Sequence, residues 1–237
     1  MTRTHFHQEL DHLKHRLLAM GGKAEQAVEF AVQAYMQRDP ALCERVIVNE
    51  SAINRTEREV DELAIDLLAM QQPTAIDLRF ILAVIKINAD LERVGDQAVN
   101  IAQRVLNLIE LPACELPVDI PLMASHVRAM LRDALRAFIE ADVELAKHVP
   151  EADDEVDRIN RDAFANLSDS VRTHPASAVQ ALDVMSVARN LERVADHATN
   201  IAEDVIFWIR GADVRHRAGL HIAEKGPPAD GKGTQSA

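Results

Sequence analysis

The chain has 237 residues, 48% of them hydrophobic but only 3% aromatic, with eight glycines and a formal net charge of −12. So acidic a chain lacks the basic face that a general nucleic-acid binder needs to neutralise phosphates. It is compatible instead with cation binding, or with basic patches on a partner protein.

The abundance of Ala, Leu, Val, Arg and Glu, with few aromatic or β-branched blocks, predicts helices and no strands. Cys43 and Cys114 suggest neither a disulfide framework nor a zinc spacing. The start, Met1-Thr2-Arg3-Thr4-His5-Phe6-His7, lacks the apolar run of a signal peptide. No stretch approaches the ~20 apolar residues of a membrane span. A soluble, cytoplasmic protein is expected.

Helix 1 is predicted from Phe6 to Gln37, with Gly21-Gly22 as a weak spot. Asp39-Pro40 reads as the cap and first-turn proline of helix 2, which continues to Met70. After Pro73, Thr74-Ala75-Ile76-Asp77 resembles a capping box opening helix 3, which runs to Leu111. Pro112 and Pro117 bracket a linker. Asp119 and Pro121 open helix 4, which ends near Ala141. Helix 5 is expected over Val143 to Thr173, kinked or split at Pro150. Ser177-Ala178-Val179-Gln180 forms a second capping box before helix 6, which stops at Gly211. The fold class is therefore all-α, as two tandem antiparallel three-helix bundles over residues 1–112 and 118–212, with residues 213–237 expected to be disordered.

The halves are copies. Leu91-Glu92-Arg93-Val94-Gly95-Asp96-Gln97-Ala98-Val99-Asn100-Ile101-Ala102 recurs as Leu191-Glu192-Arg193-Val194-Ala195-Asp196-His197-Ala198-Thr199-Asn200-Ile201-Ala202. Helices 2 and 5 align as well: Asp39, Leu42, Glu50, Ile53 and Asn54 match Asp142, Leu145, Asp153, Val156 and Asp157.

On helix 3 the apolar seam is Leu91, Val94, Ala98, Ile101, Val105 and Leu108, and Glu92, Asp96 and Asn100 form a stripe roughly opposite it. Helix 6 repeats this with Glu192, Asp196 and Asn200. Glu50, Asn54 and Glu57 share one face of helix 2, matched by Asp153, Asp157 and Asn160 on helix 5. Like charges one turn apart repel by a few tenths of a kcal/mol, roughly. A divalent cation reverses that cost, and all-oxygen sets suit Mg²⁺, Mn²⁺, Ca²⁺ or iron. The competing reading is a solvated face with Arg93 and Arg193 as ordinary ion-pair partners. Because the stripe lies away from the seam, the site is expected to be surface-exposed. Glu9-Leu10-Asp11-His12 matches one Glu-x-x-His of a di-iron bundle, but such sites need two copies and two further Glu.

Gln72-Pro73-Thr74-Ala75-Ile76-Asp77-Leu78-Arg79, Leu91-Glu92-Arg93-Val94-Gly95-Asp96, Asn200-Ile201-Ala202-Glu203-Asp204-Val205, Gly211-Ala212-Asp213-Val214-Arg215-His216 and Met20-Gly21-Gly22 together resemble the PhoU family. The resemblance implies a cytoplasmic, non-enzymatic negative regulator of phosphate uptake and of the phosphate-starvation regulon, commonly a homodimer. Its implied partners are a phosphate ABC transporter and a sensor histidine kinase. It also implies metal binding through acidic motifs that fall on Glu92/Asp96, Glu192/Asp196, Asp153/Asp157 and Glu50/Asn54, where Asn54 supplies a neutral oxygen. Fe, Mn, Mg or Zn are the ions expected. The alternatives are a carboxylate-bridged metal oxidoreductase of ferritin-like type and a metal-free helical scaffold.

Overall fold

Apolar residues spaced three and four apart along six segments become six helices in the computed structural model, which describes residues 3–70 and 73–211. They are α1 (Arg3–Gln37), α2 (Pro40–Met70), α3 (Ala75–Glu110), α4 (Ile120–Glu140), α5 (Val143–Thr173) and α6 (Ala178–Arg210), with a 3₁₀ turn at Pro175–Ser177. The tail expected over 213–237 lies outside the described residues.

Helix α1 begins at Arg3, earlier than Phe6, and passes unbroken through Gly21-Gly22. Gly21 is a crossing point rather than a weak spot. A Cβ there would lie 2.9 Å from Cδ2 of Leu135 on α4.

The first turn-around is the same in both halves. Arg38 and Ala141 adopt left-handed φ values of 52° and 53°. The following Asp39 and Asp142 then donate their backbone N–H to Ala34 O (3.3 Å) and Ala137 O (3.0 Å), closing the preceding helix. Their carboxylates cap the next helix, accepting from the N–H of Ala41 (2.9 Å) and of Glu144 and Leu145 (2.9 and 3.1 Å). Gly211, at φ 69°, ends α6 as expected.

Neither capping box forms. The Thr74 hydroxyl donates to Asp77 Oδ2 at 2.5 Å instead of accepting from the backbone. Ser177 donates to His174 O within the 3₁₀ turn, and the buried Gln180 amide reaches Pro112 O at 3.4 Å in the linker. Helix α5 also continues through Pro150. The proline removes one backbone bond, but the seam on both sides of it, Val143, Ala146 and Val149 then Val156, Ile159 and Ala163, is buried and holds the helix in place.

Each half is a three-helix bundle, α1–α3 and α4–α6, and the two share one continuous core. Helices α1, α3, α6 and α4 form a central four, with α2 packed on one side and α5 on the other. The middle pair, α3 and α6, is antiparallel: Arg79 Nε donates to Trp208 O at one end, and Arg104 pairs with Asp183 at the other. Phe80, Phe138 and Trp208 join the halves, with ring centroids 5.0 to 5.9 Å apart.

The duplicated packing is complementary rather than identical. A Cβ on Gly95 would sit 2.9 Å from Ile53 Cδ1, and the aligned pair in the second bundle is Ala195 with the shorter Val156. Gly95→Ala and Ile53→Val should therefore compensate. We expect the double variant to exceed the sum of the singles in stability by ~0.5–1 kcal/mol in a denaturant double-mutant cycle. Strict additivity would refute the pairing.

Candidate functional site

Helices α2 and α3 lie side by side, as do α5 and α6, so each pair of acidic stripes faces across one groove. In the first groove Glu50, Asn54 and Glu57 of α2 meet Glu92 and Asp96 of α3. Burial raises the Glu92 carboxyl above its ordinary pKa, and Asp96, Glu57 and Glu50 add to the rise. Asp96 is raised by burial and then by Glu50, against the opposing pull of Arg93 and a hydrogen bond from Glu92. Burial, then Asp61, does the same to Glu57. Asn54 Nδ2 donates to Glu50 Oε1 at 2.7 Å, while its Oδ1 is buried without a partner.

The second groove joins Asp153 and Asp157 of α5 to Glu192 and Asp196 of α6. Asp153 is pushed up to about 6, by burial first and then by the charges of Asp196, Asp157, Glu192 and Asp154. Its Oδ1 is likewise buried without a hydrogen bond. Glu192 is raised by burial, Asp196 and Asp157. Asp196 is raised by burial and Asp157, opposed by His197 and Arg193. Asp157 accepts from Arg161 at 3.4 Å.

The stripes are not surface-exposed as expected. Of the eight expected residues only Asp196 is exposed; the other seven are half-buried. Helices α3 and α6 are the central pair, so the face opposite the apolar seam is still flanked by α2 or α5. Arg93 and Arg193 are exposed and act on the carboxylates through space.

Oxygen-only donors with two orphaned buried oxygens suit a hard or iron-type cation. Among the described residues, however, no three His, Cys, Asp or Glu side chains converge as a ready-made ligand set. Holding an ion would require the carboxylates to turn toward one another.

Sequence reasoning missed a polar seam between the two bundles. Asp90 of α3 accepts from His197 Nδ1 at 2.8 Å and from Asn200 Nδ2 at 3.2 Å on α6. Asn200, placed by sequence in the acidic stripe, thus belongs to the interface. Lys86 meets the buried Asp204 at 3.3 Å, and Arg104 meets Asp183 at 3.6 Å. The available signal was asymmetry between copies: Gln97 against His197, and Asp90 against Asn190. At the N-terminal end, His12 is exposed and Glu9 pairs with His5 at 3.7 Å, so the Glu-x-x-His motif does not face a bundle core.

The geometry defines a two-repeat, all-helical protein with an acidic groove in each repeat. A family model described as the PhoU domain matches residues 17–105 and again 120–205. A phosphate-specific transport system accessory protein PhoU homolog of Pseudomonas putida is 41% identical over 89% of this chain and 83% of its own length. Its namesake from Pseudomonas aeruginosa is 40% identical over 89% and 88%. The crystal structure of PhoU from Pseudomonas aeruginosa superposes with a TM-score of 0.84 at 38% identity, covering 87% of this chain and all of that one. A phosphate transport system regulatory protein PhoU from Streptococcus pneumoniae gives 0.78 at 26% identity, covering 88% and 99%. The chain belongs to the PhoU family.

Asp153 yields a pH prediction for the metal-free protein. Its folded pKa, about 6, exceeds the ordinary 3.8, so between those values the folded state holds the proton that the unfolded state releases. The stability this provides is complete below pH 3.8 and is lost as the pH rises to about 6. Asp153→Asn should therefore flatten the thermal-stability profile across that window and raise Tm at pH 7 above that of the wild type. An unchanged profile would show that Asp153 ionises without cost.

Proposed function

We propose that this chain is a non-enzymatic negative regulator of phosphate uptake and of the phosphate-starvation regulon. The observation that carries the reading is similarity through both repeats to relatives named as accessory proteins of phosphate-specific transport. In this reading it works in the cytoplasm, as a homodimer, through contacts with a phosphate ABC transporter and a sensor histidine kinase. In the same reading membrane association runs through such partners; no helix among the described residues is long and apolar enough to cross a membrane.

The same proposal includes a metal ion, of the Fe, Mn, Mg or Zn type, in each acidic groove. Glu92, Asp96, Glu50 and Asn54 would hold one, and Asp153, Asp157, Glu192 and Asp196 the other. What supports it is the desolvation and mutual repulsion of these carboxylates, which a bound cation would relieve, together with the unpartnered oxygens of Asn54 and Asp153. The ion would supply charge neutralisation that draws α5 against α6 and α2 against α3. Asn54 contributes a neutral oxygen, so the first groove should hold metal more weakly than the second. The ferritin-like alternative lacks inward-facing Glu-x-x-His ligands among the described residues.

Deleting the gene should leave phosphate uptake and starvation-gene transcription active in phosphate-replete medium, and restoring the wild-type chain should silence both. Unaltered regulation in the deletion strain would sink the functional reading. Separately, Glu192→Ala with Asp196→Ala should strip metal from protein purified without chelators while helicity stays nearly unchanged, because half-buried and exposed polar sites away from the core tolerate truncation. Elemental analysis and circular dichroism check this. Equal metal content in both proteins would remove the ion from the second groove.

A further inference from the structure

Because α3 and α6 are copies packed antiparallel, each end of the central four helices has a counterpart at the other. One end is filled by Phe80, Phe138 and Trp208, with ring centroids 5.0 to 5.9 Å apart. The repeated segment aligns Phe80 with Gln180 and Trp208 with Leu108. The matched left-handed residues Arg38 and Ala141 align α1 with α4, and so Phe138 with Tyr35. An arginine holds the matched carbonyl at both ends: Arg79 Nε donates to Trp208 O at 3.1 Å, and Arg38 Nη2 donates to Leu108 O.

The aligned residues do not fill the second end. Tyr35, Leu108 and Gln180 instead line a cavity of about 380 Å³ beside the linker between the repeats, together with Arg38, Met36 and Leu116. Protein interiors hold few voids larger than a water molecule. This one lies where Gln stands for Phe and Leu for Trp. Met36 is 59% exposed, so the wall reaches solvent.

None of the acidic-groove residues lines this cavity, and Arg38 is the one charged side chain in its wall among the described residues. Arg38 Nη2 also donates to Ile109 O at 3.3 Å and Leu111 O at 2.7 Å, but no carboxylate among the described residues pairs with it. Gln180 is 8% exposed and donates through Nε2 to Pro112 O at 3.4 Å, while its amide oxygen has no partner among the described residues. The Tyr35 hydroxyl has none among them either. Burial raises the Tyr35 phenol above its ordinary pKa; Cys114 adds to the rise and Arg38 opposes it.

We propose that this cavity binds a small aromatic carboxylate of indole size. Its ring would occupy the space that Phe80 and Trp208 fill at the opposite end, against Leu108 and Leu116. Its carboxylate would accept from the Tyr35 hydroxyl and pair with Arg38, and a ring N–H would satisfy the Gln180 amide oxygen. Apolar walls with a few placed polar groups are the general make-up of a small-molecule site of this volume. An aliphatic acid would reach the arginine but lack the flat ring that the missing aromatics leave room for. A cationic ligand would meet Arg38 with no carboxylate in the wall to offset it. Neither the phosphate reading nor metal binding enters this site.

Tyr35 is the chain's only tyrosine, so ¹³C-tyrosine labelling of the full-length protein places a single NMR probe in the cavity. We expect indole-3-acetate, titrated to millimolar concentration, to shift the Tyr35 ring resonances saturably. Gln180→Phe and Leu108→Trp, which install the residues of the opposite end, should each abolish that shift with circular dichroism unchanged. Tyr35→Phe matches the aligned residue and removes only the hydroxyl. By calorimetry it should weaken binding at least about tenfold, ~1.4 kcal/mol, because a hydrogen bond to a charged group is lost. Neutral indole should bind the wild type more weakly by a similar factor.

Absence of a saturable shift with indole-3-acetate, phenylacetate and benzoate alike would overturn the proposal. So would undiminished binding by both filled variants, or decanoate binding as tightly as indole-3-acetate. Conversion of a wild-type dimer to monomer by a filled variant, seen by sedimentation, would reassign the cavity to a side chain of a second copy.

Discussion

The antiparallel packing of α3 on α6 is the constraint on which the rest of the structure depends. These two helices carry the duplicated segment, and each is covered by its own bundle on one side and by its counterpart on another. Their apolar seams, Leu91, Val94, Ala98 and Ile101 with Leu191, Val194, Ala198 and Ile201, are wholly buried. Burying a Leu, Val or Ile side chain contributes about 1.5–3 kcal/mol, so the seam dominates the energetics of the centre. Fixing α3 and α6 also fixes where α2 and α5 can lie, and hence where both acidic grooves form.

The polar seam across this junction has a different consequence. Asp90, His197 and Asn200 satisfy one another at the boundary of the two repeats, and Lys86 reaches the deeply buried Asp204. Buried polar groups are costly unless paired, so these contacts select one register between the bundles over alternatives that would leave them unpaired. An apolar seam with a period of three and four residues does not by itself discriminate a one-turn slip. The hydrogen-bonded set does.

The acidic grooves work against this background of stability. Six of their carboxylates, Glu57, Glu92, Asp96, Asp153, Glu192 and Asp196, are held above their ordinary pKa values, mainly by burial and then by neighbouring carboxylates. That arrangement favours protons or cations over free carboxylates. In the second repeat Glu192 and Asp196 share one cavity wall with Arg161, Arg189 and Arg193 and with the apolar Phe164, Leu182 and Met185. The first repeat keeps Arg58 and Arg93 at the aligned positions but carries Asp61 and Ala89 where the second has Phe164 and Arg189.

By itself the sequence determined the helices, their order and their duplication, because period, punctuation and repeated segments are local properties of a chain. It also placed Glu50, Asn54, Glu92 and Asp96, and their partners Asp153, Asp157, Glu192 and Asp196, on helix faces. Only the tertiary structure decided how deeply those faces lie. A helical wheel measures angle and carries no information about which neighbours flank a central helix, so the stripes read as exposed and are half-buried. The Thr74 and Ser177 caps and the break at Pro150 failed for a related reason: side-chain bonds to Asp77 and His174, and packing along α5, outweighed the local preference. The pairing of Asp90 with His197 joins positions more than a hundred residues apart, and no local pattern brings them together. That contact exists because two copies of one bundle fold against each other along their shared helix.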